Sequence, residues 1–166
     1  MAGAAGITAS ADVRCLVFML GDEEYAVDVM RVREIVGPLP ITRVPGMPAH
    51  VRGVINLRGK VIPVMDLRTR FGLAATDHGP RTCMIVLQAG GTEVTALVDR
   101  VCEVVSIAGG DVEETPSFGP SVDTSCLLGI AKSGERVRML LDIDRVMAGD
   151  DRGGAADLFD ADASRS

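Results

Sequence analysis

The chain carries one pattern twice, and any fold has to accommodate both copies. Gly21–Val36 (GDEEYAVDVMRVREIV) lies over Gly90–Val105 (GGTEVTALVDRVCEVV), with Gly21/Gly90, Glu24/Glu93, Val29/Val98, Arg31/Arg100, Val32/Val101, Glu34/Glu103 and Val36/Val105 identical. Further on, Gly53-Val54-Ile55 lies over Gly129-Ile130-Ala131, and Val64-Met65-Asp66-Leu67 over Leu140-Leu141-Asp142-Ile143. The later matches fall at a wider offset because the second half has the longer connection. The physical reading is two similar all-β units of about five strands each. Antiparallel strands this few remove their exposed edges best by closing into small barrels. Units so small bury too little alone, so they are expected to share a core. A groove between the halves is then the natural place for a partner.

The clearest local signal is Val51–Gly72, VRGVINLRGKVIPVMDLRTRFG. It reads as a strand (Val51–Leu57), a tight Arg58-Gly59 turn, a second strand (Lys60–Met65) and a short helical turn. Gly59 suits a turn position with φ > 0. Asp66 can cap the turn Leu67–Phe71 by accepting a backbone N–H. Both strands are apolar on nearly every residue, which predicts burial on two faces. Asn56, Arg58 and Lys60 stand at the tip. That is either a stiff mount for a recognition surface or a buried hairpin with a solvated turn.

Hydrophobic residues make up 47% of the chain, charged residues 24% and aromatics 3%, with no Trp. The core must therefore come from Val, Ile, Leu, Ala and Met, and Val favours strands. The formal charge of −6 argues against nucleic acid, which needs a basic patch. No apolar run reaches the roughly 18–20 residues of a membrane-spanning helix. The N-terminus lacks a basic start and a long apolar centre, so no signal peptide is expected and the chain is expected in the cytoplasm.

In chain order, residues 1–12 are small and polar and predict disorder. Arg14–Leu20 and Tyr25–Val29 predict a first hairpin. In Asp28–Val36, residues Val29, Val32, Ile35 and Val36 fall on one helical face. Gly37–Pro48 holds four prolines and allows only a short extended piece at Ile41–Val44. Thr82–Leu87, Glu93–Val98 and Val101–Ile107 predict strands, and Gly109–Thr124 a long irregular connection. Ser125–Ala131 and Val137–Leu141 predict a last hairpin, with Asp142 capping a short helix to Met147. Residues 149–166 hold five acids and two arginines with little to bury, and predict a disordered acidic tail.

Catalytic chemistry is hard to find. His50 and His78 sit beside prolines or glycines, with no ligand at metal spacing. Cys15, Cys83, Cys102 and Cys126 are widely spaced, with no close pair, and read as free thiols acting as small hydrophobes. No phosphate loop or nucleophile elbow occurs. Asp66, Asp99 and Asp142 each follow an apolar strand, where a cap or turn explains them. No catalytic, metal or cofactor site is expected.

LVFMLGDEEYAVDVMRVREIV, ITRVP, the Val51–Gly72 hairpin and TALVDRVCEVV together resemble the bacterial chemotaxis coupling protein (CheW-like) family. The likeness covers about Arg14 to Met147, and GVINLRGKVIPVMDLR is its most specific piece. It implies an all-β fold with short helices, built from two intertwined five-stranded SH3-like barrels. The domain would run 13–148, with halves at about 13–72 and 81–148 and strand exchange between them left open. The family's role implies a non-catalytic adaptor joining the cytoplasmic tip of chemoreceptors to the regulatory domain of the histidine kinase CheA. It would be cytoplasmic and held at receptor arrays through its partners.

By that resemblance, Val32, Glu34 and Arg58 match positions implicated in receptor or kinase coupling. Val98, Val101 and Val104 form the other wall of a receptor groove, and Thr82 and Cys83 begin a strand facing the kinase. Arg52 is the partner assigned to Glu34 in an ion pair. Asn56 and Gly59 serve the turn. Read from the residues alone, the four valines are better taken as core and Glu34–Arg52 as a surface ion pair worth under about 1 kcal/mol. Two other functional classes compete: a regulatory module of another two-component pathway, serving pili or development, and a small-ligand-binding barrel.

Overall fold

A computed structural model describes residues 12–48, 50–73, 79–113 and 126–148. Its strands are β1 (Asp12–Leu20), β2 (Glu23–Asp28), β3 (Val32–Val36), β4 (Val51–Leu57), β5 (Lys60–Asp66), β6 (Cys83–Ala89), β7 (Thr92–Val98), β8 (Arg100–Ala108), β9 (Val112–Glu113), β10 (Leu127–Ser133) and β11 (Arg136–Leu141). Two short helices follow β5 and β11: α1 (Leu67–Arg70) and α2 (Ile143–Ala148). The expected disordered tail at 149–166 lies outside the described residues, as does 1–11 of the expected disordered start. Asp12 corrects that start, since it opens β1 and pairs with Ala108.

The strands form two sheets, ordered β3-β6-β7-β5-β4 and β8-β1-β2-β11-β10-β9. These are the two SH3-like barrels, called here the first and second. The repeat maps one order onto the other: β3 onto β8, β6 onto β1, β7 onto β2, β5 onto β11 and β4 onto β10. Each barrel borrows the opening hairpin of the other half. The borrowed hairpin joins through a parallel pairing, β5 with β7 and β11 with β2, while the hairpins themselves are antiparallel. Even the last strands correspond. β9 pairs with β10 in the second barrel, and a single bridge, Thr42 with Val54, holds the same place in the first.

This exchange explains why the strands are apolar on both faces. Successive residues of a strand point to opposite sides. In β1, Cys15 and Val17 point into the second barrel, while Leu16, Phe18 and Leu20 point into a core between the barrels. In β6, Met84 and Val86 fill the first barrel, and Ile85 and Leu87 reach the shared core. Tyr25 stacks between Phe18 and Phe71, with ring centroids 5.9 and 5.4 Å apart.

Three local readings change. The stretch after Asp28 is not a helix: Val29–Arg31 makes one 3-10 turn, capped by the Asp28 carboxylate accepting from Met30 N at 2.9 Å, and Val32–Val36 is β3. A β-branched segment beside an open sheet edge gains more by pairing with β6 than by coiling. The Val51–Asp66 hairpin is buried on both faces only in part. Ile62–Met65 are buried, but Arg52 and Val54 are half-buried and Asn56 and Val61 are exposed. Gly109–Thr124 is not wholly irregular, because it contains a 3-10 turn and β9, with residues beyond 113 outside the described set.

Asp66 ends β5 nearly buried and caps α1, accepting from Arg68 N at 3.0 Å and Thr69 N at 3.4 Å. It also accepts from Arg52 Nη1 at 3.1 Å. Asp66→Ala should therefore cost about 2 kcal/mol, and Asp66→Asn less, because an amide oxygen still caps. Urea unfolding of the three proteins measures this. Equal midpoints for wild type and Asp66→Ala would remove the cap from the account.

Candidate functional site

The β4–β5 turn places its residues by backbone strain and one side-chain bond. Arg58 and Gly59 both have positive φ, 53° and 85°, the pair a two-residue primed turn needs. The sequence signalled Gly59, whereas Arg58 is an unmarked left-handed residue. Asn56 accepts from Gly59 N at 2.9 Å and locks the turn. Arg58 is thereby aimed outward from a stiff tip.

It does not point at open solvent. Both terminal nitrogens of Arg58 donate to the Glu34 carboxylate, each at 2.5 Å. Arg58 is 70% exposed and Glu34 27%. These hydrogen bonds hold the Glu34 carboxyl below the usual carboxylate range and raise Arg58 further. Glu34 lies on β3 and Arg58 at the end of β4, the two opposite edges of the first sheet. A fork-to-fork pair between opposite edges shows the sheet curled until its edges meet.

The Glu34–Arg52 pair expected from the resemblance is corrected by this geometry. Arg52 instead reaches Asp66. Arg52 is the second residue of β4 and so stands near the base of the hairpin, far from its tip. Beside Arg58, Lys60 Nζ donates to Glu93 at 2.8 Å, and Arg33 Nε lies 3.8 Å from the same carboxylate. The tip is thus a belt of paired charges. Ile35, on β3, is 43% exposed, and Val61, on β5, is also exposed. Sequence reasoning placed both inside. Alternation along β3 was the signal that could have found Ile35, whereas β5 does not alternate and Val61 is exposed by its place next to the turn.

The candidate valines divide. Val98 is only 1% exposed and belongs to the shared core, so it cannot form a groove wall; alternation in β7 turns it inward. Val32 and Val101, mates in the repeat, are half-buried and pack on the shared core from β3 and β8. Val104 is 41% exposed and is the repeat mate of Ile35. Thr82 is nearly buried and accepts from Gly79 N at 2.7 Å, which is the work of a turn. Cys83 is partly exposed and its thiol meets the Arg81 carbonyl at 3.4 Å. Thus Glu34 and Arg58 come together on one barrel, Val101 and Val104 lie on the edge strand of the other, and Val98 is withdrawn. Among the described residues, no group of three or more His, Cys, Asp or Glu could hold a metal ion. None of their helices is long and apolar enough to cross a membrane.

The CheW-like domain profile matches residues 14–151. The Chemotaxis protein CheW of Klebsiella aerogenes is 35% identical over 136 residues, covering 82% of this chain and 82% of that protein. Its namesake from Rhizobium meliloti is 36% identical over 137 residues, covering 82% of this chain and 88% of that one. The crystal structure of scaffolding protein TtCheW from Thermoanaerobacter tengcongensis matches with a TM-score of 0.76 at 32% identity, covering 82% of this chain and 93% of that one.

Proposed function

The chain belongs to the CheW-like domain family, and from that premise we propose that it is a non-catalytic adaptor coupling chemoreceptor tips to the histidine kinase CheA. The observation that carries the reading is the stiff, charged β4–β5 tip clasped to an edge strand. Glu34 and Arg58 offer a fixed pair of charges, with the exposed aliphatic Ile35 on the same strand as Glu34. Polar groups held this way select a partner, and Ile35, on the other face of the same edge strand, adds aliphatic surface beside them.

The receptor surface then comprises Glu34 and Arg58, with Val32 at the barrel junction and Val101 and Val104 on the second barrel. Cys83, rather than buried Thr82, is the kinase-facing residue of β6. The protein works in the cytoplasm and meets the membrane only through the receptors it binds.

Pull-downs with fragments of the cognate receptor and of the kinase regulatory domain test this. Each fragment is expected to bind separately, and no phosphoryl transfer should occur without the kinase. Failure of both fragments to bind would refute the adaptor reading.

A further inference from the structure

We propose that a cleft on the second barrel docks an acidic peptide with an apolar centre, and that its occupant is Asp157–Asp162 of the same chain. The cleft encloses about 580 Å³. Half-buried Val101 gives it an aliphatic wall, Val17 lies beneath it inside the barrel, and Arg81, Arg100 and Arg136 bring three guanidinium groups to it. Glu24 and Glu103 line it too, but their charges are already matched. Glu24 accepts from Arg136 at 2.6 Å and from Arg138 at 2.9 Å, and Glu103 lies 3.9 Å from Arg138. Arg81 and Arg100 have no carboxylate partner among the described residues. Arg100 Nη2 faces sulfur instead, 3.4 Å from Met19 Sδ and 3.8 Å from Cys102 Sγ. A chain of net charge −6 thus holds two uncompensated cations at one concave site, where field lines concentrate.

The sequence supplies a matching ligand. Asp157–Asp162 reads DLFDAD, with Leu158 and Phe159 set among three aspartates and no cation. Two large apolar side chains suit Val101 and the alkyl stems of the arginines, and carboxylates suit guanidinium forks. The segment lies past residue 151, where the family match ends, so the family's shared role does not account for it.

The reach is sufficient. α2 ends at Ala148 and packs against β6, while the cleft touches Cys83, the first residue of β6. At about 3.3 Å per residue, β6 spans about 20 Å. The eight residues 149–156 extend to about 27 Å. The cleft shares Val101 and Cys83 with the surfaces proposed above for receptor and kinase, but the docking is argued from charge and reach and does not rest on that reading.

Cys102 is exposed and lines the cleft, so its alkylation reports occupancy. The experiment follows iodoacetamide labelling of Cys102 by peptide mass spectrometry in the whole chain, with buried Cys15 as control. Two variants are compared with wild type: Asp157→Asn/Asp160→Asn/Asp162→Asn, and the charge-neutral Leu158→Ala/Phe159→Ala. Both should label at least about twofold faster, the change produced by losing a tail docked half the time. Raising salt should bring wild type up to the variants' rate. Equal rates in all three proteins would overturn the proposal. A wild-type rate that rises on dilution would overturn the assignment to the same chain, since the tail would then come from a second copy.

Discussion

Replacing Gly53 by alanine should cost about 3 kcal/mol and lower Tm by about 6–12 °C. Gly53 has φ of 148°, a conformation that side chains disfavour. A Cβ there would lie 2.2 Å from the Thr42 carbonyl oxygen and 2.9 Å from its carbon. Thr42 cannot retreat cheaply, because its N donates to Val54 O at 2.8 Å and its O accepts from Val54 N at 2.9 Å. Either the new methyl clashes or the segment crossing β4 lifts away. The repeat supplies an internal control. Gly129 occupies the same place in the second barrel, where a Cβ would lie 2.7 Å from the Glu113 carbonyl oxygen. Its φ lies outside the left-handed range, so Gly129→Ala should cost less, about 1–2 kcal/mol. Thermal melts of the two variants, with amide exchange at Val54, measure both effects. A Gly53→Ala protein that melts with wild type and keeps Val54 protected would mean the crossing segment is not clamped there.

What the sequence reveals here follows from local physics, and what it hides is tertiary. Apolar runs bounded by glycines gave most strands within a few residues, and Asp66 and Asp142 announced their caps. Asp142 does accept from Arg145 N at 3.3 Å. The segment from Val29 to Val36 misled because four apolar positions in eight residues fit one helical face. They fit a turn followed by a strand equally well, and only the free edge of β6 decides between them. The repeat said that two units are alike without saying whose hairpin each would hold. The resemblance places Val98 on a groove wall, whereas both faces of β7 enter cores, with Val98 in the shared one. The partner of Glu34 was out of reach because it is set by tertiary structure. Arg52 and Arg58 are both on or beside β4, and only the curl of the sheet selects Arg58. The roles of these residues toward a partner therefore rest on surface geometry that periodicity cannot supply.

Arg58→Glu and Glu34→Lys should each weaken receptor-dependent kinase activation by at least about tenfold while leaving the fold intact. Both side chains belong to an exposed pair, and exposed pairs contribute little to folding. Circular dichroism melts should therefore stay within a few degrees of wild type. Reversing one charge leaves two like charges facing each other at the barrel seam, and it presents the wrong sign to a partner. These two causes separate in a third protein, Glu34→Arg combined with Arg58→Glu. That swap rebuilds an intramolecular pair between β3 and the hairpin tip, with each charge now on the opposite strand. If a partner reads the individual charges, the swapped protein melts like wild type and still fails to activate the kinase. If the pair serves only to pin the hairpin to β3, the swap recovers activation, and the binding surface lies elsewhere on the barrels.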